Sequence, residues 1–384
     1  MLPSVFSLDF ICLLTIALLF VIIKISHGNL GGNTMKYVYQ GKEIFPVVEI
    51  YSDVIPYISG ITDHQFYTNP ELCIKAWKDA IPTINEYFGD YAQLLTLTKK
   101  PTAPGLSYGH LVSLGAPLKL PTEDGEPNVL PFAEDIDEAI EIMKSKKNVD
   151  FGNNDTFRYY VKMNAALQKA FPGIEIAPAS GYGYEGVITS AVLMRGQDFL
   201  CDIYDEPEKA HEFLQLMSES IIEFKKFINR VNGQPERSRY MWLCDDFASL
   251  ITPSLWPEFV VPYWNHYFDN LSVEGSRRTV HCENTHPTQL RYLEDVKLAH
   301  YQPSVATALT IENIKENTNV PFDWLLYTFS IVKMTDEEIE AWVDNTVQSG
   351  IRKIRTQFGR YVWKNGKMDR ILAFYKAFEK YRVE

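Results

Sequence analysis

Short apolar runs that end in polar residues recur along this chain, and each is followed by a stretch with helical spacing. Ile44–Tyr51 runs into Ser52-Asp53, Tyr240–Cys244 into Asp245-Asp246, and Thr279–Cys282 into Glu283-Asn284. Val296–Tyr301, Phe322–Thr328 and Ile351–Thr356 continue the series. Strands that alternate with helices at this spacing make βα units and a parallel sheet with helices outside it. In a chain of 384 residues this predicts an α/β fold, a single (β/α)8 TIM-type barrel over residues 35–384 with an N-terminal extension. In such a barrel, reactive residues at strand ends gather on one face.

The helix signals are explicit. Asn69 followed by Pro70 opens a helix through Phe88, and Asn154–Ala170 and Pro207–Val231 read as long helices. Ser254–Leu271 is predicted helical with a kink at Pro262. Thr335 and Glu338 form a capping box for a helix to Ser349. Ala92–Leu97 and Ile174–Ala179 read as strands, and the Pro/Gly-rich stretch from Lys99 to Pro131 as an irregular loop over one barrel end.

A net charge of −12 excludes nucleic acid as a natural partner. The five cysteines are widely spaced and contain no Cys-x-x-Cys, which points to a reducing compartment, the cytoplasm. Residues 1–34 form a separate apolar segment and linker. Phe10–Ile23 reads either as a membrane anchor, with Lys24 and Lys36 keeping the barrel cytoplasmic, or as an over-extended start before Met35.

Several landmarks, in order, resemble the uroporphyrinogen decarboxylase superfamily, which includes corrinoid-dependent methyltransferases. They are Leu114-Gly115-Ala116 with Phe132–Asp135, and Gly186–Gly196 with Phe199–Asp202. Further on come Cys244-Asp245-Asp246 with Ile251–Ser254 and Glu258–Tyr263, and then Val280-His281-Cys282-Glu283. The resemblance runs from about Phe45 to the C-terminus and implies a (β/α)8 barrel. A true uroporphyrinogen decarboxylase needs a basic clamp after the first strand. Tyr51–Gly60 contains no Arg or Lys, so the methyltransferase branch is the better match. That branch binds zinc through a His-x-Cys pair and a later Cys. Here His281 matches, Cys282 is offset by one, and no Cys follows it.

On a strand, His281 and Glu283 share a face and Cys282 takes the other. This makes His281 and Glu283 the expected metal ligands, with zinc as the expected ion and Cys282 as packing. A His/carboxylate site is harder than a thiolate site and favours a methoxylated substrate. Asp245, Asp246 and His281 are the expected catalytic residues. Glu49, Tyr184, Trp242, Tyr301 and Gln357 are expected to bind the small-molecule substrate. The methyl group would pass to or from a corrinoid carried by a separate partner protein. Two other functions fit the same residues. One is a metal-free decarboxylase or lyase using a His281–carboxylate pair, and the other is a non-catalytic barrel that binds a tetrapyrrole or corrinoid.

Overall fold

A computed structural model describes residues 35–95 and 100–383. The opening hairpin is β1 (Lys36–Tyr39) and β2 (Lys42–Ile50), and two short strands, β3 (Leu118–Lys119) and β4 (Asn128–Val129), pair with each other. The remaining strands are β5 (Ser238–Cys244), β6 (Ser272–His281), β7 (His300–Gln302), β8 (Trp324–Leu326), β9 (Lys353–Phe358) and β10 (Arg382–Val383). One sheet has the order β10-β1-β2-β9-β8 and another β5-β6-β7.

The pairs β2–β9, β8–β9, β5–β6 and β6–β7 are all parallel. A parallel bridge between Tyr301 and Phe322 joins the two sheets into one arc. Past β5 the wall continues without regular strands. The Gly186 amide donates to the Cys244 carbonyl (2.6 Å), and Tyr182 bridges Leu106 in parallel. The α/β class therefore holds, but the described residues do not form eight regular strands. The expected strand at Ile174–Ala179 is a turn, and the wall is instead built by Tyr182–Gly186. The expected strand at Ala92–Leu97 begins as the 3-10 turn Gly89–Leu94, and its last residues lie outside the described ones. The loop from Lys99 supplies wall at Leu106 and a buried helix, Gly109–Leu114.

Glycine makes the irregular wall possible. Gly181 has φ +83, and a Cβ there would meet the Ala103 carbonyl at 2.6 Å. A Cβ on Gly186 would lie 2.4 Å from the Asp245 side chain. Outside the arc, helices pack with their apolar faces inward. Asn69 caps Pro70–Phe88, Asn154 caps Asp155–Ala170, and the Thr335/Glu338 capping box is present. The helix expected over Ser254–Leu271 is broken at Val260, two residues before Pro262, where ring sterics disfavour a continuous helix. Among the described residues no helix is long and apolar enough to cross a membrane, and the apolar segment Phe10–Ile23 lies outside them.

Candidate active site

The inside of the arc is ionic near its floor. Val47 pairs in register with Arg355, and Cys244 with His281, which pairs in turn with Gln302. Alternation along the strands turns Glu49, Arg355, Gln302 and His281 inward. The fully buried Arg355 guanidinium bonds Glu49 (2.6 Å) and Asp323 (2.8 Å). Asp323 also meets His300 (3.1 Å) and Lys353 (3.3 Å). Burial alone would raise the Asp323 carboxyl; Arg355, Lys353 and His300 overcome this and hold it well below its ordinary value.

From Asp323 the network climbs to the site. Gln302 donates its amide nitrogen to Asp323 (3.2 Å), and its Oε1 lies 2.6 Å from His281 Nδ1. Because the amide nitrogen is committed to a carboxylate, its oxygen faces the imidazole and Nδ1–H must donate. In a neutral ring His281 Nε2 is then an acceptor. This is the arrangement that metal-binding histidines use.

Three side chains converge at that nitrogen: Cys244, Asp246 and His281, with all ligand atoms within 4.8 Å of one another. Asp246 Oδ1 lies 3.5 Å from His281 Nε2, and the Cys244 thiol lies 3.6 Å from Asp246 Oδ2. Metal bonds of about 2.0–2.3 Å place tetrahedral ligand atoms about 3.3–3.8 Å apart. Sulfur, imidazole nitrogen and carboxylate oxygen form a zinc-type donor set, so these residues fit such an ion. Burial, and then Asp246 and Glu185, push the Cys244 thiol well above its ordinary value. A bound cation would reverse that balance.

Glu283 adjoins this trio at His281. Its Oε1 lies 3.7 Å from His281 Nε2, and its backbone amide donates to Asp246 (2.9 Å). The buried Glu283 carboxylate lines the main cavity, and Oε1 has no hydrogen-bond partner. Burial, and then Asp246, push it up to about 7, against the pull of His281. The expected pair, His281 with Glu283, does come together on the inward face, and Cys244 and Asp246 join His281 there. His281 groups with Cys244 and Asp246, because β5 and β6 end at the same level. Cys282 is buried on the opposite side, with its thiol near the Asp246 and Glu283 carbonyls.

The other expected site residues divide. Gln357 lines the cavity and accepts from Thr328 (3.1 Å). Trp242 stacks beside His281, with ring centroids 6.0 Å apart. Glu49 lies below the cavity, bound to Arg355. Asp245 does not face the cavity: it accepts from the amides of Thr189 (2.7 Å) and Ile188 (3.3 Å) and from the Trp264 indole (2.8 Å), capping the helix Val187–Arg195. Tyr184 points outward, its hydroxyl 2.6 Å from that of Tyr267, while its neighbour Glu185 faces in towards Ser107 and Cys244. Tyr301 also points outward, holding the Cys282 carbonyl (3.1 Å) and Thr285 (2.8 Å). In each case residue-by-residue alternation puts only one neighbour on the cavity side.

The cavity has a volume of about 370 Å³. Its second end begins at Asp53, where the first strand runs out as the sequence indicates. Asp53, Asp63, Glu126 and Arg360 meet there, beside Tyr67 and Tyr108. Arg360 bonds Asp63 (2.6 Å) and approaches Asp53 (3.8 Å). Burial pushes Asp53 up to about 6, and Glu126, solvent-exposed at the rim, is raised by partial desolvation and by Asp53, although Arg360 opposes both shifts. Asp53 sits at the N-cap position of one short helix, Asp63 and Arg360 open two others, and Glu126 lies in a loop, so their meeting is set by the fold rather than by a local pattern. Cys244 did leave a signal: Cys244-x-Asp246 and His281-x-Glu283 repeat one spacing at the ends of neighbouring strands.

An α/β wall of parallel strands with a polar cluster at their C-terminal ends defines an enzyme-like site. The chain belongs to the uroporphyrinogen decarboxylase (URO-D) family, whose match spans residues 108–347. No curated protein matches the sequence. Among solved structures it is similar to a methyltransferase from Methanosarcina mazei, with a TM-score of 0.61 and 14% identity over 88% of this chain and 93% of that one. At that identity the likeness speaks for the fold.

Proposed function

We propose that the protein is a methyltransferase acting on a small methylated substrate, built on a distorted (β/α)8 barrel. The observation that carries this reading is the convergence of Cys244, Asp246 and His281 beside a cavity sized for a small molecule. These three residues would hold a divalent ion, zinc by donor type. A bound ion would supply Lewis acidity to the group that gives or receives the methyl.

The chain's own residues do the rest. Gln302, anchored by Asp323, fixes which imidazole nitrogen faces the site. Glu283 faces the cavity with an unpartnered Oε1, placed to accept a hydrogen bond or a proton from the substrate. Tyr327 and Phe329 wall the cavity. A corrin ring is larger than this cavity, so a corrinoid would be presented at the mouth by a partner protein, near the exposed Phe329 and Tyr361.

Decarboxylation of a poly-anionic tetrapyrrole fits less well. Arg360 is the one basic residue among the lining residues, and it is already paired with Asp63. The test is methylation of cob(I)alamin by the zinc-loaded protein with a panel of methylated compounds, followed by absorbance. Methylcobalamin should form, and His281→Ala should lower the rate by about a hundredfold or more. Release of carbon dioxide from a carboxylate substrate without any corrinoid would contradict the proposal.

A further inference from the structure

The cavity end remote from His281 has more negative charge than its surroundings balance. Asp53, Asp63 and Glu126 share a single guanidinium, Arg360, whose contacts go to Asp63 and Asp53. Glu126 stands solvent-exposed at the rim of the cavity and makes no hydrogen bond or ion pair among the described residues. At the other end of the same cavity, the buried Glu283 Oε1 also has no hydrogen-bond partner. Between these carboxylates the walls are aromatic, with Tyr51, Phe66, Tyr67, Tyr108, Tyr327 and Phe329 among the lining side chains.

Carboxylates in surplus inside an aromatic cavity call for a positive ligand. A metal ion does not answer. Among the described residues only Cys244, Asp246 and His281 bring three ligand atoms within 4.8 Å, so the acidic end is too spread for one ion to be gripped. A neutral ether would leave the carboxylates uncompensated, and an anion would be repelled. A diffuse organic cation suits both features, because its charge faces the carboxylates while its alkyl surface packs on the rings.

We propose that this cavity binds a methylated ammonium compound, with the charged head between Asp53, Glu126 and Glu283 and the methyl groups against the aromatic walls. As a statement about the methyl donor this rests on the methyltransferase reading; as a binding site it stands apart from it. The raised carboxyls of Asp53 and Glu126 agree with this, since a bound cation would favour their ionised forms.

Calorimetric titration of the full chain with three probes decides it: choline, its neutral carbon analogue 3,3-dimethylbutan-1-ol, and the anion 3-methoxybenzoate. Choline should bind about tenfold tighter than the alcohol, with the benzoate weakest. Glu126→Gln should weaken choline about fivefold and leave the alcohol unchanged. Phe329→Ala should weaken choline about threefold through lost ring contact. Both side chains lack core roles, so folded variants are expected, and circular dichroism checks this. Equal binding of choline and the alcohol, preference for the benzoate, no binding of any probe, or indifference to Glu126→Gln would each overturn the proposal. Choline bound but never demethylated would count against choline as the methyl donor and leave the site standing. Methyl transfer from 3-methoxybenzoate without choline binding would do the reverse.

Discussion

Two groups of carboxylates inside this molecule live under opposite conditions. Asp323, on the floor of the arc, is surrounded by Arg355, Lys353 and His300, and is held well below its ordinary value despite complete burial. Asp53 and Glu126, at the cavity, share one guanidinium; burial pushes Asp53 up to about 6, and Glu126, exposed at the rim, is raised by partial desolvation and by Asp53. The first group is satisfied by the fold and has nothing left to offer a ligand. The second is left short of cations, and such shortfalls mark functional sites more often than structural ones. The comparison separates what holds the barrel together from what the barrel holds.

The sharpest way to break the comparison is to remove one member of each group. Asp323→Ala leaves the Arg355 charge buried with only Glu49 beside it, and should cost about 3–5 kcal/mol in denaturant unfolding. A loss below about 1 kcal/mol would show that the floor network is not structural. Glu126→Gln should change stability by no more than about 0.5 kcal/mol. Its effect belongs in ligand binding alone.

A smaller effect is expected from pH. Asp53 and Glu126 have raised carboxyls, and cation binding requires them ionised, so choline affinity should rise between pH 5.5 and pH 8. The groups facing them are Asp63, Arg360, Tyr67 and Tyr108. None of the phenols among these loses its proton in that window, because burial raises both. An affinity that falls or stays flat with rising pH would place the binding charge elsewhere. Away from the cavity, Tyr184→Phe should leave activity unchanged and cost about 1 kcal/mol of stability, because its hydroxyl bonds Tyr267.

Much of the scaffold was legible because it depends on local rules. Asn69, Asn154 and Thr335 cap the helices their spacing predicts, and the apolar runs at β2, β5 and β6 become strands. The wall segments at Leu106 and at Tyr182–Gly186 were not legible. Leu106 and Tyr182 meet through glycine-dependent backbone approach rather than through hydrophobic periodicity.

In the site, strand alternation led to His281 with Glu283, and both face inward. It could not show that Cys244 lies directly across from His281, because register between strands is a property of the folded sheet. The thiol grouped with His281 thus lies on the neighbouring strand and not further along the chain. The Asp245-Asp246 pair shows the same limit from the other side. Both residues are polar strand-end neighbours, yet one caps a helix and the other meets His281. Arg360, at the start of a short helix, and Glu126, in a loop, reach the cavity along paths no local pattern encodes.

The central claim is that Cys244, Asp246 and His281 form a metal site and that Cys282 does not belong to it. Cobalt(II) titration of the metal-free protein reads this directly, because thiolate bound to cobalt gives an intense charge-transfer band. The account predicts that band in the parent chain and in Cys282→Ser, and its loss in Cys244→Ser. A band that survives Cys244→Ser, or vanishes in a folded Cys282→Ser variant, would contradict it.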